Sequence, residues 1–248
     1  MRIRSVAHTA VVAAIVAAAA PAATHEIVAA TGNAAAAPFD IVRTEVAAEG
    51  GEVVFRMAVS GEAGASRPTP SGRLAGSTVH SYVWPTSLDS AAVGFEAGQG
   101  ILAFAVTSHP DFDDTPRRDE NGDGRADNDG DLWHSHWVVL TRDEACGPAA
   151  LKVRDIPEGA KPRLPETWPG LPLLIDSPDY PPALHGDTVD VRVPVARLGD
   201  VEGVSFDGVT AGLHVNASVH APLLCVSDVF DIASGDLSLP GKVRRRGG

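Results

Sequence analysis

Cysteine, methionine and aromatic side chains are scarce in this chain: two Cys, two Met and 5% Phe, Trp and Tyr in 248 residues. Two thiols, Cys146 and Cys225, leave room for a single bridge, and no catalytic-cysteine signature surrounds either. Basic residues are outnumbered, 20 Lys and Arg against 32 Asp and Glu, for a net charge of -12. Such a chain repels phosphate backbones and anionic lipid surfaces and attracts cations, which argues against a nucleic-acid partner. Long apolar runs are absent beyond one Ala/Val stretch, residues 10–20, which is shorter than the roughly 20 residues needed to span a bilayer. Stable membrane insertion is therefore not expected. Gly-x-Ser-x-Gly, Ser-x-x-Lys, Walker and dinucleotide motifs are all missing, and GFEAGQG has neither the spacing nor the strand-to-helix setting of a phosphate loop. No segment outside the N-terminal stretch shows a 3.6-residue period.

What is present begins with Arg2 and Arg4, the Ala/Val run, and small residues at Ala20, Ala22 and Ala23. This order is that of a secretory signal, predicted over residues 1–23, and it places the protein in the periplasm or outside the cell. Without Arg2 and Arg4 the balance is 18 basic to 32 acidic, a net of -14. In an oxidising compartment Cys146 and Cys225 read as a disulfide. Residues 24–38 are alanine-rich without period and read as a flexible leader. The terminal KVRRRGG, within residues 241–248, reads as a free basic tail.

Between them, residues 39–240 read as one domain. FDIVRTEV and EVVFRMAVSG flank Gly50-Gly51, the pattern of a hairpin. STVHSYVW, HSHWVVLT and three later valine-rich segments (188–198, 204–220 and 222–232) are further strands. GILAFAVTS is a continuous apolar run, as in a strand buried on both faces. Residues 62–76 form a Gly/Ser/Pro loop, and residues 157–182 hold eight prolines, so that segment is an extended arm with Trp168, Leu171 and Leu174 tucked in. The prediction is an all-β fold, an antiparallel β-sandwich of Greek-key or jelly-roll type with long acidic and Pro-rich loops.

The chemistry concentrates in DFDDTPRRDENGDGRADNDGDLWHSHW, residues 111–137, with eight aspartates, one glutamate and three arginines. Asp119, Asn121, Asp123, the Arg125 carbonyl and Asp127 take positions 1, 3, 5, 7 and 9 of a calcium loop around the turn residue Gly124, and Asp129 and Asp131 could complete the shell. DENGDGRADNDGD resembles the calcium loops of thrombospondin type-3 and dockerin-type repeats over about 13 residues, a resemblance that implies Ca²⁺ and no particular fold. Position 12 of an EF-hand would be Gly130, and neither flank is helical.

His134 and His136 flank Ser135, so on a strand both imidazoles share a face and could hold Zn²⁺ or another transition metal. His80 or His109 is the candidate third ligand, with Asp111 or Asp113 as carboxylate donor; His214 and His220 could share a face elsewhere. HSHW resembles the His-x-His-Trp strand of alpha-type carbonic anhydrases. The next histidine is His185, however, and Glu144 stands too far beyond His136 for a cupin, so neither family's activity carries over. Trp84, Trp133, Trp137 and Trp168 could build a sugar-stacking platform, with core packing as their default role. The leading expectation is an exported calcium-binding module in which Ca²⁺ orders a loop that shapes a surface for a carbohydrate or small ligand. The alternative is a zinc-type hydrolase using the His134/His136 pair to activate water.

Overall fold

Each alternating and β-branched segment contributes a strand, although the one read over residues 188–198 ends at Pro194 and continues as a helical turn. In the computed structural model, which describes residues 25–115, 117–216 and 222–246, the chain begins with β1 (Glu26–Val28), β2 (Ile41–Glu49), β3 (Glu52–Val59), β4 (Thr78–Pro85) and β5 (Ile101–Ser108). After the acidic loop come β6 (His134–Arg142), β7 (Leu151–Val153), β8 (Ile175–Asp176), β9 (Ala183–His185) and β10 (Thr188–Pro194). One helical turn, Val195–Leu198, precedes β11 (Ser205–Phe206), β12 (Val209–Val215), β13 (Leu224–Ile232), β14 (Gly241–Lys242) and β15 (Arg244–Arg245). The expected signal, residues 1–23, lies outside the described residues.

The all-β, antiparallel class is as read from the sequence, but the larger sheet is no open face of a sandwich. β4 pairs with β5, β5 with β6, β6 with β7, β7 with β13, β13 with β12, and β12 returns to β4. These six strands close a barrel, with β8 added beside β7 on the edge of β6. Closure needs sharp local curvature and small side chains inside. The ladder of β12 with β13 is shifted at Thr210/Ala211 and again at Gly212/Leu213, and Ala103, Ala105 and Ala211 sit among the buried residues of the interior. A second sheet, ordered β1-β2-β3-β10-β9, packs on the outside of the barrel, and its β2–β3 hairpin turns at Gly50-Gly51, both at positive φ.

Period-two alternation sends each barrel strand to two different cores. Val79 and Val83 of β4, Ala103 and Ala105 of β5, and Val138 and Leu140 of β6 fill the inside. Tyr82 and Trp84, Leu102 and Phe104, and Trp137 and Val139 point outward and meet Phe55 and Met57 of the second sheet. Phe55 stands 4.7 Å from Phe104 and 5.7 Å from Trp137, ring centre to centre. The unbroken apolar run of β5 is explained: every residue from Leu102 to Ser108 is buried.

The Pro-rich segment closes over one side, contributing β8 and placing Leu173 and Ile175 inside the barrel and Leu174 in the outer core. Cys146 and Cys225 form a disulfide. Two segments read as free are tied down. The backbone N–H groups of Gly32 and Asn33 donate to the Asp40 carboxylate at 2.8 and 2.9 Å, and β1 pairs with β2. Of the basic tail, β14 pairs with β11, β15 runs parallel to β2, and Arg246 pairs with Glu45. The tail finds acidic partners on the second sheet, a matter of proximity that its composition does not encode. Among the described residues no helix is long and apolar enough to cross a membrane.

Candidate metal centre

Strand direction places the three histidines of a group that could hold a metal ion. β5 ends at Ser108, so His109 is the first residue of the acidic loop, and β6 begins at His134. Because β5 and β6 are antiparallel neighbours, with Thr107 opposite His134, the two ends of the long loop meet. His136 follows two residues on, facing the interior with Val138. Asp114 completes the group from within the loop.

His109, Asp114, His134 and His136 are all buried, each 5% exposed or less. Asp114 Oδ1 lies 3.2 Å from His109 Nε2, 3.2 Å from His134 Nε2 and 3.3 Å from His136 Nε2. The Nε2 atoms of His109 and His134 are 2.9 Å apart. An ion with ligand bonds of about 2.0–2.1 Å sets tetrahedral donor–donor separations of about 3.3–3.4 Å and cis-octahedral ones of about 2.9 Å. These four separations fall in the range that ligation imposes, and all four ligand atoms lie within 4.8 Å of one another.

The protons point the same way. His109 Nδ1 lies 2.8 Å from the Phe112 carbonyl and His134 Nδ1 lies 2.7 Å from the Leu132 carbonyl, contacts that only Nδ1–H donors satisfy. Ser177 Oγ donates to the Asp114 carbonyl at 2.8 Å, so its lone pair accepts from His136 Nδ1 at 3.2 Å. In the neutral tautomers all three Nε2 atoms are bare lone pairs converging on a carboxylate. His136 Nε2 and Asp114 Oδ1 have no hydrogen-bond partner at all. Burial works to raise the Asp114 carboxyl, but His136 and His109 hold it well below the usual carboxylate range. Burial keeps the His134 ring below its ordinary value, whereas at His109 burial, the largest single effect, is overcome by the Asp114 charge together with hydrogen bonds to Asp114 and the Phe112 carbonyl, and the ring is raised. One proton on His109 would answer Asp114 or His134 and still leave His136 Nε2 bare. A divalent cation answers all four.

The loop supports the site from below. Asp113 accepts from Thr115 N at 2.8 Å and Asp129 N at 2.8 Å, and Ser108 Oγ donates to the Asp131 carbonyl at 2.8 Å. His109 N donates to the Gly130 carbonyl at 2.5 Å. A Cβ at Gly130 would collide with the Phe112 carbonyl and stand 2.6 Å from the His109 carbonyl, so only glycine lets the two loop ends approach this closely. The Phe112 ring stacks flat on His109 at 4.0 Å and fixes its tilt.

His134, His136 and His109, all read as ligands from the sequence, are brought together. His80 is not: on β4 it points away from the interior, its Nδ1 3.2 Å from the Ser66 carbonyl and its ring edge-on to Phe39 at 5.1 Å. Asp111 turns outward to accept from Ser71 N and Gly72 N, and Asp113 braces the loop, so the carboxylate that joins the three histidines is Asp114 instead. DFDD contains all three, and no spacing rule distinguishes them in an aperiodic loop. Among the described residues His214 joins no such group, and His220 lies outside them.

Of the calcium-loop candidates, Asp119 accepts from Gly122 N and Gly124 N, Asn121 and Asp123 accept from Asp123 N and Arg125 N, and Asp127 pairs with the Arg125 side chain. Asp131 pairs with Arg67 at 3.2 Å. The carboxylates that gather are Asp113, Glu120 and the buried Asp129. Burial raises the Glu120 carboxyl, and its Oε2 has no partner. Trp84, Trp133 and Trp137 are buried in the outer core and offer no stacking surface.

No family model, curated protein or solved structure matches the chain, so the geometry alone carries the functional reading.

Proposed function

We propose that this is an exported metalloprotein whose barrel holds one divalent transition-metal ion on His109, Asp114, His134 and His136 as its resident cofactor. The observation that carries the reading is the convergence of three Nδ1-protonated imidazoles, Nε2 first, on a buried carboxylate. Imidazole suits Zn²⁺, Cu²⁺, Fe²⁺ and Ni²⁺, and three imidazoles with one carboxylate are a poor set for Ca²⁺, which prefers six to eight oxygens. The disulfide suits an oxidising compartment, and the signal-like N-terminus suits export. An ion here ties both ends of the acidic loop to the barrel, and it would act as a Lewis acid in a water-poor site. The hydrolase reading rests on that chemistry, with His109 and Asp114 added to the His134/His136 pair.

A second reading has its own support. Asp113, Glu120 and Asp129 converge with Glu120 Oε2 unpartnered, as a Ca²⁺ that orders the loop would require. The ligand-shaping calcium module stays a proposal on that ground. Elemental analysis of the mature protein, purified without tag or chelator, tests both. One transition-metal equivalent, lost in His134→Ala and in Asp114→Ala, is the expected result. Calcium alone, retained in both variants, would replace the first reading by the second, and no metal would sink both.

A further inference from the structure

The inside of the barrel is not completely filled. A cavity of about 130 Å³ lies along its axis, lined by aliphatic side chains such as Val83, Ala105, Val138, Ala211 and Leu213. Its polar lining is gathered at one end, where His136, His109 and Asp114 of the metal site form part of the wall with Ser81 and Thr107. Ser81 is already satisfied, donating to the Ala211 carbonyl at 2.9 Å, and Thr107 Oγ1 lies 3.4 Å from His134 Nε2. Over most of its length, then, the cavity offers water none of the two to four polar partners that a buried water needs. Cavities of this size with aliphatic walls stay dry and accept benzene or xenon. The rim repeats the character of the walls. Of the three large hydrophobic residues that are exposed among the described ones, two, Leu74 and Val229, line this cavity.

We propose that the barrel cavity is a binding site for a neutral apolar molecule of about benzene size, a small arene or branched hydrocarbon, held against the Asp114–His136 end. A polar or charged substrate would leave its own groups unpaired against these walls. The cavity's occupancy does not depend on the ion; the ligand's place beside an ion rests on the metalloprotein reading above. The site thereby gains a substrate class: hydrocarbon, with the ion at one end.

Benzene is the probe. The metal-loaded mature chain, with alanine and valine methyls ¹³C-labelled, is titrated with benzene up to its solubility limit. Saturable shifts at Ala105, Ala211 and Val138, with a rise in melting temperature, are expected. Ala211→Leu, which fills the cavity, should weaken the response at least tenfold while metal content stays the same. If that variant fails to fold, Ala105→Val serves. Absence of saturable shifts in metal-loaded protein, or a full response in a folded cavity-filled variant, overturns the proposal and leaves the metal reading intact. Saturable shifts in a protein that holds no metal support the cavity and remove the metal reading instead.

Discussion

Asp114→Asn should cost the metal-loaded protein more stability than the metal-free one. In the metal-loaded protein Asp114 is the only anionic ligand, and its Oδ1 lies within 3.3 Å of all three imidazole Nε2 atoms. Binding to the folded state alone stabilises it by about 2.7 kcal/mol at a free-metal concentration a hundredfold above Kd. For a domain of this size each kcal/mol moves the melting temperature by about 2–4 °C, so loading should raise it by roughly 5–11 °C. In the metal-free protein His136 and His109 hold the same carboxylate well below the usual range, so it contributes stability there too at neutral pH. Asp114→Asn should therefore erase most of the gain on loading and lower the metal-free melting temperature by less than the loaded one. Scanning calorimetry on chelator-treated and Zn²⁺-, Co²⁺- or Cu²⁺-loaded protein measures both differences. If the variant destabilises the metal-free protein as much as the loaded one, Asp114 is a structural hydrogen-bonding residue and the ligand argument fails.

Gly130→Ala should cost about 1–3 kcal/mol through overpacking and weaken metal retention, because its Cβ is forced into the backbone of Phe112 and His109; chemical denaturation together with metal content would reveal a wrong assignment if both stayed at wild-type values. Cys146→Ser with Cys225→Ser opens a bridge spanning 79 residues and should cost about 4 kcal/mol, read from the denaturation midpoint of the double variant. Asp40 has its carboxyl held below the ordinary range chiefly by the Gly32 N–H, helped by those of Asn33 and Ala34. A depressed carboxyl contributes stability that is complete above its unfolded value, near 3.9, and lost as pH falls through the folded one. Asp40→Ala should thus cost about 1–3 kcal/mol at pH 7, with the difference from wild type shrinking in acid, and it should raise amide exchange at Gly32 and Asn33.

The all-β class was legible because alternation and β-branching are local properties, written into Val-rich segments such as β3, β10 and β12. The hairpin at Gly50-Gly51 was legible for the same reason, since a two-residue turn at positive φ demands glycine. So was the sharing of a face by His134 and His136, a consequence of the strand's two-residue period. Closure of the barrel was not legible. It depends on which edge strand meets which, on β5 reaching β6 while β12 reaches β4, and on bulges in β12 that no local pattern announces.

The same division runs through the metal centre. Composition alone made residues 111–137 the place to look, and the His-x-His spacing named two of the four residues that converge. The choice of His109 over His80 was made by the barrel: His109 leaves a strand that pairs with β6, whereas His80 sits on the outward face of β4. Asp114 was selected by an aperiodic loop whose path is set by Asp113, Gly130 and Ser177, contacts between residues distant in the chain. The sequence by itself determined the strands, the disulfide pair and the richness in ligands. Only the tertiary structure decided which four side chains converge, because convergence depends on strand pairing and burial across the whole chain.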